Sequence, residues 1–175
     1  MGLTVLTGGA RSGKSELSSR LASASEGQVV VIVTGEDRDE EMAERIRRHR
    51  GSRPLAWVTI EAPRELLGAV LDVDPHAFVV LDCLTLWVSN TIEAGLTDDE
   101  IVNEAGEVAS VLAKREAPSV VVTNEVGLGI VPMHELARRY RDTLGRVNAV
   151  FVSDAERAFL VVAGKALPLQ DVSFT

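Results

Sequence analysis

Near the N-terminus, Gly8-Gly9-Ala10-Arg11-Ser12-Gly13-Lys14-Ser15 satisfies the pattern G-x-x-x-x-G-K-[ST] at every fixed position. Such a loop constrains the fold before any other feature, because it works only between a buried strand and the first turn of a helix. Its glycines let successive N–H groups turn inward on phosphate oxygens, its lysine reaches the β- and γ-phosphates, and its serine hydroxyl holds Mg²⁺. Both flanks comply. Leu3-Thr4-Val5-Leu6-Thr7 reads as a short buried strand, and Glu16–Ser25 carries Leu17 and Leu21 at the i, i+4 spacing of a packed helix.

The rest of the chain alternates in the same way. Gln28–Thr34, Ala56–Ile60, Ala77–Asp82, Ser119–Asn124 and Phe159–Ala163 read as strands. Three of them are nearly continuous Val, Ile, Leu and Phe, as strands covered on both faces are. Helical stretches lie between them: Asp37–Arg50, Pro63–Leu71, Leu84–Glu93, Asp98–Arg115 and His134–Asp154. Thr97 and Glu100 form a capping box, Pro63 suits a first helical turn, and Thr85 suits a helix cap. The expected architecture is α/β: a doubly wound, mostly parallel sheet in a single nucleotide-binding domain over residues 1–175, with ligand groups at the strand C-termini.

Composition narrows the partners. The net charge of −8 gives no general attraction to nucleic acid or anionic membrane, and the sequence has neither a leader pattern nor a membrane span, so cytoplasm is the expected compartment. Against this acidic background, Arg45, Arg47, Arg48, Arg50 and Arg53 fall within nine positions, which favours an anionic ligand. The one cysteine, Cys83, reads as a buried structural thiol.

Chemistry-bearing groups collect where the fold class places ligands. Asp82 ends an apolar strand, where a carboxylate holds Mg²⁺ beside the loop serine, Ser15. Asn124-Glu125 ends another strand and enters a loop with Gly127, Gly129 and Pro132, leaving room for close ligand approach. Asp142-Thr143-Leu144-Gly145 lies in a helical stretch, and no guanine-reading N-K-x-D follows, so a switch GTPase is not indicated. His76 and His134 read as turn and helix-start residues, without zinc spacing. His49 has two readings. It shares a helical side with Met42 and Ile46, as an inert packed residue would, yet the surrounding arginines disfavour an imidazolium and suit a nucleophile toward a nucleotide.

Taken in order, the loop Gly8 to Ser15, Arg45-Ile46 with His49-Arg50 and Arg53-Pro54, Trp57, Glu61, Asn124-Glu125-Val126-Gly127, Gly129-Ile130-Val131-Pro132, and Arg141-Asp142 with Gly145 and Asn148 resemble one family. It is that of the bifunctional adenosylcobinamide kinase/adenosylcobinamide-phosphate guanylyltransferases of cobalamin biosynthesis. The resemblance runs to about Leu169 and departs from the family pattern at Ala149 and in the last residues.

The resemblance implies two reactions. ATP or GTP phosphorylates adenosylcobinamide; then GTP guanylylates a histidine, matching His49, and GMP passes to the new phosphate. It implies catalytic roles for His49 and Lys14. Nucleotide contacts carry over to Gly8, Gly9, Ala10, Arg11, Ser12, Gly13, Lys14, Ser15, Val33, Thr34, Gly35, Arg50, Gly51, Ser52, Arg53, Glu61 and Asp82, with Mg²⁺ on Ser15 and Asp82. It further implies a homo-oligomer, trimeric in reported members. On the residues alone, a simple P-loop small-molecule kinase and a nucleotide-binding regulator without transfer chemistry remain open.

Overall fold

The computed structural model describes residues 2–37, 40–51 and 53–172, without the side chains of Glu41, Met42, Arg45, Ile46 and His49. In chain order the elements are β1 (Leu3–Thr7), α1 (Lys14–Ser23), β2 (Val29–Val33), α2 (Glu40–Gly51), β3 (Val58–Glu61), α3 (Leu66–Leu71) and β4 (Phe78–Asp82). There follow α4 (Leu84–Glu93), α5 (Asp98–Ala113), β5 (Ser119–Val122), α6 (Glu135–Asp154), β6 (Arg157–Val162) and β7 (Lys165–Leu169). The strands form one sheet in the order β3-β2-β4-β5-β1-β6-β7. Neighbours pair in parallel except β6 with β7.

Alternation along the strands divides the core between the two faces of the sheet, since successive side chains point to opposite sides. Val5, Ile32, Val79, Leu81 and Val121 meet Leu66 of α3, Trp87 of α4, Leu112 of α5 and Phe151 of α6. Leu6, Val31, Val80 and Val120 meet Ala22, Leu17 and Leu21 of α1, with Trp57. All the parallel strands therefore deliver their C-terminal ends, and the loops that leave them, to one edge of the molecule, where doubly wound sheets bind ligands.

Several local expectations hold, and several are corrected. Thr97 and Glu100 make the full capping box at the start of α5. Pro63 stands outside α3, which begins only at Leu66. The segment before it is tied instead to α4: Pro63 O accepts from Asn90 Nδ2 at 3.0 Å, and Arg64 O from Trp87 Nε1 at 3.0 Å. Thr85 does not cap α4, since Cys83 occupies that position and the Thr85 hydroxyl accepts from Asn124 N–H at 3.0 Å. Cys83 is half-buried, because the sheet has ended at Asp82 and the chain is already turning into α4. Strand β7 is an addition. Ala163 and Gly164, both at positive φ, turn the chain back on β6, and Pro168 is tolerated because β7 is an edge strand.

Phe151 is fully buried on α6 against the larger core. Phe151→Ala is expected to destabilise the fold by roughly 3–5 kcal/mol, read from urea midpoints.

Candidate active site

The phosphate loop joins β1 to α1 and is shaped by its backbone. Gly8, Arg11 and Gly13 have φ of 145°, 54° and 102°, so the chain reverses hand repeatedly and forms an anion-binding concavity. The hairpin of β6 and β7 presses on it from one side. A Cβ at Gly8 would fall 2.3 Å from Val161 O, and one at Gly13 would fall 3.0 Å from Gly164 Cα. Gly164 N–H donates to Ser12 O at 2.8 Å, fastening the two turns together. Lys14 is 6% exposed and folds into its own loop, donating to Gly8 O at 2.8 Å, Gly9 O at 2.6 Å and Ser12 Oγ at 3.2 Å. Its ammonium thus sits within the loop, on the loop's own carbonyls and hydroxyl.

Beside the loop lies a cleft of about 400 Å³. Of the residues expected to bind nucleotide, Ser15, Val33, Gly35, Arg50, Arg53, Glu61 and Asp82 line it. Arg47 of α2, one of the clustered arginines expected to meet an anion, also faces it, as do Glu36 and Cys83, which the sequence did not single out for contact. Gly8 to Lys14 form the adjoining loop. Gly51 ends α2 without lining the cleft. Thr34 is fully buried, and its polar groups are spent on protein. Its hydroxyl donates to Cys83 O at 2.6 Å and accepts from Cys83 N–H at 3.1 Å, while its carbonyl accepts from Asn90 Nδ2 at 2.8 Å. Thr34 therefore shapes the floor. Ser52 and the His49 side chain lie outside the described residues.

The electrostatics are those of a cationic cleft in an acidic protein. Arg53 Nη2 lies 3.4 Å from Asp82 Oδ2. Burial lowers the Arg53 pKa from its ordinary value, opposed by Asp82 and assisted by Arg50. A phosphate would add to the charge compensation that Asp82 gives this partly desolvated guanidinium. Ser15 and Asp82 offer a hydroxyl and a carboxylate to one space, hard oxygen donors that fit Mg²⁺ shared with substrate phosphates. Among the described residues, no group of three or more His, Cys, Asp or Glu side chains could hold a metal alone.

On the other side of the loop, the turn after β5 is held by buried polar groups that sequence reading did not bring together. Asn148 of α6 accepts from Thr123 Oγ1 at 2.7 Å and donates to Asn124 O at 3.0 Å. Tyr140 donates to Thr85 O at 3.4 Å, and burial pushes its phenol up to about 12. Beyond the turn, Leu128, Ile130, Val131 and Met133 are exposed.

A seven-stranded sheet with a glycine-rich phosphate loop after β1 and an Asp at the end of β4 defines a P-loop nucleotide-binding protein. Solved structures agree on the fold. An ATPase from the type III secretion system of pathogenic bacteria superposes with a TM-score of 0.58 at 10% identity, over 91% of this chain and 50% of that one. A Pyrococcus horikoshii protein superposes with a TM-score of 0.56 at 10% identity, over 98% and 87%. The chain belongs to the cobinamide kinase / cobinamide phosphate guanyltransferase family, whose model matches residues 4–169. It is 38% identical to the bifunctional adenosylcobalamin biosynthesis protein CobP of Pseudomonas aeruginosa, over 95% of this chain and 96% of the relative. It is 39% identical to the bifunctional adenosylcobalamin biosynthesis protein CobU of Escherichia coli, over 93% and 96%.

Because a Cβ at Gly8 would meet backbone and φ there is positive, Gly8→Ala has no room to relax. It is expected to weaken nucleotide binding by roughly tenfold or more, about 1.4 kcal/mol, in a calorimetric titration with Mg²⁺ and GTP.

Proposed function

We propose that this enzyme phosphorylates adenosylcobinamide with ATP or GTP and then transfers GMP from GTP, through guanylylated His49, to the phosphate it has made. The product is adenosylcobinamide-GDP. One observation carries the reading: Arg47 and Arg50 of α2 line the same cleft as Ser15 and Asp82, and His49 is the chain neighbour of Arg50. A nucleotide whose phosphates start in the loop can therefore extend toward the helix that carries the histidine.

In the guanylylation step an imidazole nitrogen of His49 attacks the α-phosphorus, and the bond to pyrophosphate breaks. The loop amides and Lys14 take up the charge that moves onto the leaving pyrophosphate, while Arg47, Arg50 and Arg53 hold the phosphates in place. A phosphate oxygen of the corrinoid substrate then attacks the guanylyl phosphorus, and the P–N bond breaks to restore His49. Ser15 and Asp82 would hold Mg²⁺, which would neutralise charge on the triphosphate. In the kinase step the same loop and Lys14 stabilise the γ-phosphoryl as it passes to the alcohol.

The proposal extends to a single catalytic domain working in the cytoplasm as a homo-oligomer, trimeric by resemblance. Exposed Val162, Leu167 and Leu169 on β6 and β7 are surface that another copy would cover.

The test is to incubate the protein with Mg²⁺ and GTP labelled at the α-phosphate, without corrinoid, and then denature it. Protein-bound label that is acid-labile, alkali-stable and absent from His49→Ala is the expected result. GTP binding without retained label would favour a simple kinase in which His49 is structural.

A further inference from the structure

The carboxylate of Glu125 has no part in the reading above, yet the fold goes to some length to place it. Strand β5 lies between β1, which leads into the phosphate loop, and β4, which ends in Asp82. Val122 is level with both Leu6 and Asp82 in the sheet. Pairing with β1 continues past the strand: Thr123 N–H donates to Leu6 O at 3.0 Å, and Glu125 N–H to Gly8 O at 3.2 Å. Gly8 O is also an acceptor for Lys14 Nζ at 2.8 Å. One carbonyl thus joins the Glu125 backbone to the ammonium that serves the transferred phosphoryl group.

The turn is fixed from two further sides. Asn124 N–H is held by Thr85 of α4, and Asn124 O by Asn148 of α6, whose amide is 8% exposed. A buried amide spending both ends on one surface turn rigidifies it. The carboxylate is then aimed locally: Oε1 accepts from Gly127 N–H at 2.6 Å. A Cβ at Gly127 would lie 2.9 Å from that same oxygen, so glycine leaves the carboxylate its place. A carboxylate accepting one N–H keeps lone pairs with which to take a proton.

Resting on the kinase half of the proposed function, we propose that Glu125 is the general base that deprotonates the acceptor alcohol. Other groups near the loop are less suited. Lys14 and the arginines are cations, Asp82 is engaged by Arg53 and suited to Mg²⁺, and Glu36 is paired with Arg64. Asp37 follows β2 and Glu61 ends β3, strands separated from β1 by β4 and β5, whereas Glu125 follows β5, the neighbour of β1. In the step, the alcohol oxygen bonds to the γ-phosphorus and the bond from that phosphorus to the β,γ-bridging oxygen breaks. The hydroxyl proton goes to Glu125 and then to solvent, and the nucleoside diphosphate leaves with the electron pair of the broken bond. The guanylylation step needs no such base, because its nucleophile is an imidazole lone pair.

The experiment measures single-turnover transfer from γ-labelled ATP to adenosylcobinamide in wild type, Glu125→Gln and Glu125→Ala, with nucleotide affinity titrated in each. The expected result is a rate loss of roughly 10²–10⁴-fold in both variants with affinity held within about threefold. Added formate is expected to restore part of the rate to Glu125→Ala but not to Glu125→Gln. A rate within about threefold of wild type in either variant, a loss of affinity matching the loss of rate, or no effect of formate overturns the assignment. Wild-type enzyme that makes no phosphorylated corrinoid from either triphosphate would overturn the kinase reading itself, and the role of Glu125 with it.

Discussion

The contact between the phosphate loop and the β6–β7 hairpin is the constraint on which the rest of the site depends. Gly8 and Gly13 are the residues that let the loop pass Val161 and Gly164, and the Gly164 N–H closes the contact on Ser12 O. Non-glycine residues on both sides, Arg11 and Ala163, sit at positive φ, which costs of order 1 kcal/mol or more each and persists only where surroundings enforce it. Once the loop is pinned, the buried Lys14 and the start of α1 have fixed positions. The strand C-termini then distribute the remaining groups around it: Asp82 from β4, Asn124 and Glu125 from β5, Gly35 from β2 and Glu61 from β3.

Charge is handled by the same logic of position. The chain carries a net −8, yet three arginines line the cleft beside the phosphate loop. Asp82 faces one of them, Arg53, at 3.4 Å, and Glu36 of the lining is itself paired at 3.0 Å with Arg64, which does not line the cleft. A polyphosphate would meet cations already gathered in one place, and Arg53 among them is partly desolvated, its pKa lowered chiefly by burial.

The parts of this arrangement legible in sequence are those written in short spacings. The G-x-x-x-x-G-K-[ST] run, the apolar strands and the Thr97–Glu100 box each depend on neighbours a few residues apart, and each stands where expected. What sequence reading missed is long-range or is decided by tertiary competition. Thr85 has the composition of a cap, but Asn124, 39 residues away, takes its hydroxyl. Pro63 looks like a helix start, but the bend containing it is bonded to Asn90 and Trp87 of α4. Thr34 lies next to the cleft in sequence, yet its hydroxyl is claimed by Cys83, 49 residues on. Strand β7 carries a weak signal, the Gly164 turn followed by Ala166, Leu167 and Leu169, and Pro168 within it suits a strand only at a sheet edge, a position that tertiary structure decides.

The central claim is that one phosphate cradle serves both transfers, and Lys14 is the residue that tests it. The measurement compares Lys14→Ala with wild type in phosphoryl transfer from ATP to adenosylcobinamide and in incorporation of α-labelled GMP into the protein, with folding checked by circular dichroism. Both rates are expected to fall together by roughly 100-fold or more. Loss of one with the other at its wild-type rate would contradict a shared cradle and require a second phosphate site.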